Sequence, residues 1–204
     1  LFNYSDLIFL WGEEQYNLIK KNFSNSKKVF VTGHPRFELL RPNFKYLYSD
    51  EVKKIKKSFN NYILVNTNMS FGNNIKGDTF VRENYGSRFE IIEFDKKLLK
   101  VYGKLIIEIS EKLNQNIILR PHPEEDHSFY LNFFKKNKNI HIIYEGSVIP
   151  WVIAADVMIH PDCTTAVESL FTGKKPISFL PPNYPKDLIT HLPLKASKCI
   201  NSSS

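Results

Sequence analysis

Residues 154–168 read A-A-D-V-M-I-H-P-D-C-T-T-A-V-E, and the run from Asp156 to Glu168 contains a whole strand-to-helix turn. Val157, Met158 and Ile159 make a short apolar strand, and His160, Pro161 and Asp162 make a polar turn. Thr164 and Thr165 can then cap a helix carrying Ala166, Val167, Leu170 and Phe171, which Gly173 stops. Such a turn gathers free backbone N–H groups and the positive end of a helix dipole at one spot, a physical setting for an anion.

Working outward, the same alternation repeats on both sides. Upstream lie the strands Tyr62–Asn66, Asn116–Leu119 and Ile140–Tyr144, and downstream lies Pro176–Leu180. Between them fall a long amphipathic helix over Phe89–Leu113, with Phe94, Leu98, Val101, Leu105 and Ile109 at spacings of three and four, and helices over His127–Lys136 and Pro150–Ala155. The polar stretch Gly77–Arg88 reads as a long loop. Regular alternation of this kind predicts an α/β, Rossmann-like, doubly wound parallel sheet. Right-handed crossovers then place every strand-end loop on one edge.

The first 43 residues give a strand over Tyr4–Trp11 and a helix after Gly12 with Tyr16, Ile19 and Phe23 on its apolar side. A second strand over Lys27–Gly33, the turn His34-Pro35-Arg36 and a short helix from Phe37 follow, and Pro42 ends that helix. This is the tail of one domain. Residues 44–60 read as a linker helix with Val52, Ile55 and Phe59 in register, and 61–204 as a second domain. The chain opens on Leu1 without a Met and stops in a Ser run, so it is read as a fragment cut at both ends.

With 204 residues, 42% hydrophobic and 24% charged, the composition is that of an ordinary globular protein. The net charge of +7 comes from scattered groups such as Lys53-Lys54 and Lys135-Lys136, not interleaved with aromatics, which argues against nucleic acid. Solubility is the plainer use of that charge, and weak peripheral attraction to an anionic membrane surface is a second. Cys163 and Cys199 have neither CxxC nor zinc spacing, which implies a reducing compartment. No apolar run reaches the roughly 18 residues of a membrane span.

The predicted edge collects Thr67-Asn68, Arg120-Pro121-His122-Pro123, Glu145-Gly146-Ser147 and His160–Thr165. Carboxyl ends of such strands are where open α/β sheets hold ligands. Arg120 and His122 can grip an anion through a guanidinium and an imidazole N–H, and with Thr164 and Thr165 they fit a phosphate or diphosphate. Glu168, one helical turn on, reads either as an acceptor for ribose hydroxyls or as a helix-dipole carboxylate. Asp162 either does the same or caps the turn. Ser147 lies in a loop that clasps a base or that simply packs Ile149 and Trp151. Arg36, in the turn His34-Pro35-Arg36, reads either as reaching the cleft or as bracing a domain boundary. His160, Asp162 and His122 lack the spacing of a metal site.

The segments V-T-G-H-P-R-F-E-L-L, I-I-L-R-P-H-P and A-A-D-V-M-I-H-P-D-C-T-T-A-V-E-S-L-F-T-G-K-K-P-I-S-F together resemble the nucleotide-binding half of two-Rossmann (GT-B) glycosyltransferases. The resemblance is to bacterial surface-polysaccharide proteins, among them capsular Kdo transferases, CDP-glycerol glycerophosphotransferases and sialyltransferases. It covers roughly residues 30–195 and implies metal-independent sugar transfer with no cofactor, from a CMP, CDP or UDP donor to a glycan or lipid-linked acceptor. The expected location is the cytoplasm, with the basic charge allowing peripheral association with the inner face of the cytoplasmic membrane. Carried over by motif, His122 and the Thr164-Thr165 pair contact the nucleotide phosphate, Arg120 adds leaving-group stabilisation, and Glu168 holds the ribose. Two features depart from the family: the hydroxyl pair is Thr-Thr rather than Ser-Ser, and almost all of the acceptor-binding N-terminal domain is missing. The fragment is therefore expected to bind donor without turning over. A UDP-sugar 2-epimerase and a non-catalytic nucleotide-binding module of a polysaccharide assembly complex are the alternative readings.

Overall fold

A computed structural model describes residues 6–20, 28–86, 89–182, 184–185 and 189–201, and its contacts divide the chain into a smaller unit up to Tyr46 and a larger one from Leu47. In the smaller unit, β1 (Ile8–Leu10) leads through α1 (Glu13–Ile19) to β2 (Val29–Val31), and the two strands pair in parallel. Gly33, at φ +77°, turns the chain into α2 (Pro35–Glu38), where Trp11, His34 and Phe37 gather with ring centroids 5.0 to 5.2 Å apart. Pro42 opens a 3₁₀ helix (Pro42–Tyr48), as well as closing the segment before it. Phe23, expected on the apolar face of α1, lies outside the described residues, as do Tyr4 and Ser5.

The larger unit begins with α3 (Ser49–Phe59), the stretch read as a linker, which packs on a later helix of the same unit through Val52, Ile55 and Phe59. Next come β3 (Tyr62–Asn66), α4 (Gly77–Tyr85), α5 (Phe89–Leu113), β4 (Asn116–Arg120), α6 (His127–Phe133) and β5 (Ile140–Ile142). After them follow α7 (Val148–Ala154), β6 (Val157–His160), α8 (Thr165–Phe171), β7 (Ile177–Phe179), α9 (His191–Lys195) and β8 (Lys198–Ile200). Two differences from the sequence reading stand out. Within the loop expected over Gly77–Arg88, Gly77–Tyr85 is α4, held mainly by Val81, and one buried apolar residue in nine leaves no periodicity to read. The final elements α9 and β8 are five and three residues long, too short to signal themselves.

Every pairing in the larger sheet is parallel, in the order β5-β4-β3-β6-β7-β8. Successive residues of β3 and β4 face opposite sides. Ile63, Val65, Ile117 and Leu119 pack with Leu98, Tyr102 and Ile106 of α5 and Tyr130 of α6. Tyr62, Leu64 and Ile118 pack with Ile55 of α3 and Val152 and Ala154 of α7. Burial on both faces is why these strands read as unbroken apolar runs.

Buried phenols find partners: the Tyr62 hydroxyl donates to the Trp151 carbonyl at 2.6 Å and that of Tyr102 to the Phe179 carbonyl at 2.7 Å. Lys174 Nζ donates to the Ile153 carbonyl at 2.6 Å and to the Ala155 carbonyl, satisfying the C-terminal end of α7. No helix among the described residues is long and apolar enough to cross a membrane.

The strand order sets the site. From β3 the chain winds out to β4 and β5 on one side, then returns to β6, on the other side of β3, and continues to β7 and β8. Loops leaving the carboxyl ends of β3 and β6 therefore diverge and open a crevice, the topological switch point at which sheets of this kind bind ligands.

Candidate functional site

Four loops meet along the carboxyl edge, and a hydrogen-bonded chain ties them together. Arg120, at the end of β4, donates from Nη1 to the Glu145 carbonyl at 3.0 Å and from Nη2 to the Gly146 carbonyl at 2.9 Å, fixing the loop after β5. Its own carbonyl accepts the Thr67 N–H at 3.3 Å. Glu125 then joins the loop after β4 to the loop after β3. Fully buried, it accepts from the Thr67 hydroxyl at 2.9 Å, the Met69 N–H at 2.7 Å and the Tyr130 hydroxyl. Asn68 crosses the switch point, its Nδ2 donating to the Asp162 carbonyl at 3.0 Å. Beyond it, Ser178 of β7 donates to the Pro161 carbonyl at 2.6 Å, and Asp162 Oδ2 accepts the Thr190 N–H at 2.6 Å.

This framework separates the sequence candidates into those built into the edge and those still facing solvent. Arg120, expected to grip an anion, belongs to the first group. The residue is 7% exposed, and its guanidinium spends both terminal nitrogens on carbonyls and lies 5.6 Å from the Trp151 ring centroid. A planar fork satisfies two adjacent carbonyls as readily as a phosphate. Thr67 is likewise committed to Glu125, and Ser147 caps α7, accepting the Ile149 N–H at 3.3 Å.

His160, expected among the ligand residues, is also built into the edge. Its ring is wholly buried, Nδ1 accepts the Cys163 N–H at 3.1 Å, and Nε2 meets Ser197 Oγ at 2.8 Å. An Nδ1 that accepts leaves the proton on Nε2, so Nε2 donates to Ser197, whose hydroxyl donates on to the Pro193 carbonyl at 2.6 Å. Burial lowers the His160 pKa to about 4 and keeps the ring neutral.

The Thr-Thr turn is more closed than the sequence suggested. Thr164 occupies the N-cap position of α8 in helical backbone geometry, so its hydroxyl makes no capping bond. Thr165 is nearly buried, with Oγ1 3.2 Å from Cys163 Sγ. Glu168 is buried on α8 rather than lying at the surface. Gly173 ends that helix as expected, at φ +86°, with the Lys174 N–H reaching the Ser169 carbonyl at 3.1 Å.

Facing solvent are Asn68 and Thr164, both exposed, and the half-buried His122. His122 Nδ1 accepts the Glu124 N–H at 3.3 Å, so its proton sits on Nε2 and the edge gains an outward N–H donor. The three His-Pro steps of the chain share this habit. His34 Nδ1 accepts the Arg36 N–H at 3.2 Å, and His160 Nδ1 accepts the Cys163 N–H. In each, the proline-fixed turn selects the Nε2–H tautomer, and burial against Ser197 distinguishes the brace His160 from the accessible His122.

Two residues that sequence reasoning passed over complete the edge. Glu125 is one; its only signal was a carboxylate two positions past His122-Pro123. Asp95 on α5 is the other: it accepts the N–H groups of Phe71 and Gly72, and burial raises its pKa to about 7. Gly72 packs so tightly against α5 that an added Cβ would lie 2.5 Å from the Lys96 backbone nitrogen. Among the described residues no three His, Cys, Asp or Glu side chains gather as a metal site would.

Comparison with protein-family models and with curated proteins finds no match. Solved structures do match. A UDP-GlcNAc 2-epimerase from Methanocaldococcus jannaschii superposes with a TM-score of 0.59 at 18% identity, covering 97% of this chain and 52% of that one. Its complex with UDP-GlcNAc and UDP gives 0.58 at 20%, covering 85% and 45%. The chain shares the α/β, Rossmann-like parallel fold of these GT-B-type structures. The Neisseria meningitidis UDP-GlcNAc 2-epimerase bound to UDP-GlcNAc gives 0.53 at 17% identity, covering 85% and 44%. The wall teichoic acid polymerase TagF, as an H444N variant, gives 0.52 at 14%, covering 85% and 39%. The chain spans about half or less of the length of these structures.

Proposed function

We propose that the larger unit holds a nucleotide-activated sugar at the carboxyl edge of its sheet, as the donor-binding part of a glycosyltransferase in surface polysaccharide synthesis. The observation that carries this reading is the switch point between β3 and β6, with Asn68, His122 and Thr164 presented beside it. Matching structures of the same fold with UDP-GlcNAc bound support a nucleotide sugar as the ligand class.

In this reading the His122 Nε2–H and the Thr164 hydroxyl donate to the donor's phosphates, steadying the charge that builds on the departing nucleotide. Arg120, Glu125 and Asn68 act behind them by fixing the loops. The acceptor is a glycan or lipid-linked sugar, the transfer is metal-independent, and the basic surface favours work at the inner face of the membrane.

One observation favours a second reading, a UDP-sugar 2-epimerase: fold agreement is higher with the epimerases than with TagF. Incubation with UDP-GlcNAc and no acceptor separates the two, because only an epimerase returns the C2 epimer.

Calorimetric titration with CMP, CDP and UDP tests the shared nucleotide site, repeated on His122→Ala and Thr164→Val. One of the three nucleotides is expected to bind, and both variants to weaken it. Binding by none of them, or binding untouched by both substitutions, overturns the reading.

A further inference from the structure

A cleft of about 160 Å³ opens at the switch point, lined by Asn68 and Ser70 from the loop after β3, Asp95 from α5, Asp162 from the loop after β6, and Tyr184 and Thr190. Its polar groups are mostly oxygens. A phosphate is a poor occupant, because the wall offers it mainly acceptor oxygens, with the Asp162 carboxylate adding negative charge in a partly dry setting. The phosphate-facing donors described above therefore do not account for this cleft.

Asp162 carries the deciding feature. It is 5% exposed, its carboxyl takes the Thr190 N–H on Oδ2 and is drawn to the Thr190 hydroxyl and to His191, and its carbonyl takes Asn68, yet Oδ1 is buried with no partner at hydrogen-bond distance among the described residues. Buried polar atoms are rarely left so, and a site that does leave one gains when a ligand brings the missing donor. The surroundings suit a neutral donor-rich guest. Burial raises both carboxyls, Asp95 to about 7, so that near neutral pH Asp95 both donates and accepts. Burial, reinforced by the charges of Asp162 and Asp95, keeps the Tyr184 phenol protonated. With only two carboxylates, the cleft falls short of the larger oxygen shell that a calcium ion takes.

We propose that this cleft receives the hydroxyl-rich sugar portion of the donor, with a sugar hydroxyl donating to Asp162 Oδ1, while the phosphates stay outside at His122 and Thr164. The assignment rests on the nucleotide-sugar reading given above and adds to it which residues recognise the sugar.

The test pairs each bare nucleotide with a sugar-bearing counterpart in calorimetric titrations: UDP with UDP-N-acetylglucosamine, CDP with CDP-glucose, and CMP with CMP-N-acetylneuraminate. Asp162→Asn keeps an oxygen for the Thr190 N–H and puts an amide donor where the free acceptor stood. It should weaken the nucleotide sugar by at least about tenfold while leaving the bare nucleotide within about twofold. Ser70→Ala, a milder change in the same wall, should shift affinity in the same selective way and answers the question if Asp162→Asn does not fold. If both variants weaken sugar and bare nucleotide alike, or neither changes either, the sugar subsite is overturned and the nucleotide site stands. If the unmodified protein binds neither class of ligand, both readings fall. A melting temperature raised by Ca²⁺ or K⁺ in the unmodified protein but not in Asp162→Asn assigns the cleft to a cation, and overturns the proposal.

Discussion

The Asn68 side chain donates to the backbone carbonyl of Asp162 at 3.0 Å, and this bond spans the crevice between the loops that leave β3 and β6. Two loops that diverge by topology are thereby held at a fixed separation by one exposed amide.

Asn68→Ala removes that tie and leaves the Asp162 carbonyl to water. A net loss of about 1 kcal/mol is expected for one such bond. For a chain of this size it corresponds to a fall in melting temperature of about 2–4 °C. Faster amide exchange at the Thr190 N–H, which rests on the Asp162 side chain, should accompany it. A melting curve superimposable on that of the unmodified protein would remove Asn68 from the framework.

Arg120 and His122 stand two residues apart and are expected to fail differently. Arg120→Met keeps much of the stem's packing near Trp151 but releases the carbonyls of Glu145 and Gly146, both in an exposed turn. Stability should fall by about 1–2 kcal/mol, with nucleotide affinity changed less than about threefold. His122→Ala should do the opposite, leaving the melting temperature nearly unchanged and weakening nucleotide by at least about tenfold. Equal loss of affinity in both variants would return Arg120 to the phosphate site.

Glu125 receives three donors, from Thr67, Met69 and Tyr130, in a fully buried position. Burial raises its pKa, whereas those hydrogen bonds pull it down. Glu125→Ala would leave all three donors without an acceptor and open a cavity besides, so a loss of at least about 3 kcal/mol is expected in urea unfolding. Glu125→Gln keeps one acceptor oxygen and should cost less. A small effect from the alanine would mean that water replaces the carboxylate, and that the loops after β3 and β4 are not locked through it.

The alternating order of strands and helices, and the edge they share, could be read directly because parallel strands buried on both faces leave long apolar runs such as Tyr62–Val65. The elements that escaped notice have weak local signals: α4 rests on Val81, and β8 has three residues with two of them exposed. At the edge, residue type identified where polar groups gather but not which of them are already spoken for. Arg120 and His122 share one motif, and His160 repeats the His-Pro step. Their fates diverge only through partners distant in sequence, Glu145 and Gly146 for Arg120 and Ser197 for His160. Glu125 and Asp95 carry no motif at all, because what singles them out is burial beside backbone N–H groups of another loop.

Asp95 and His160 are buried groups whose titrations oppose each other. Asp95 has its pKa raised from 3.8 to about 7, chiefly by burial, so the folded chain keeps a proton that the unfolded chain releases. Its stabilising contribution is complete below the unfolded value and is lost as pH rises toward 7. His160 has its pKa lowered from 6.5 to about 4, also by burial, so the unfolded chain takes up a proton that the folded chain refuses. That contribution is complete above 6.5 and is lost as pH falls toward 4. Each slope is at most about 1.4 kcal/mol per pH unit, and between pH 4 and 6.5 they have opposite signs. In the unmodified protein the two therefore largely offset one another. Asp95→Asn should uncover the histidine, so that stability relative to the unmodified protein climbs steadily from pH 4 to 7. His160→Asn, although less stable throughout, should uncover the aspartate and lose stability over the same interval. Urea unfolding at half-unit pH steps reads both differences, and a variant curve parallel to the unmodified one from pH 4 to 7 would show that the replaced group does not titrate in that window.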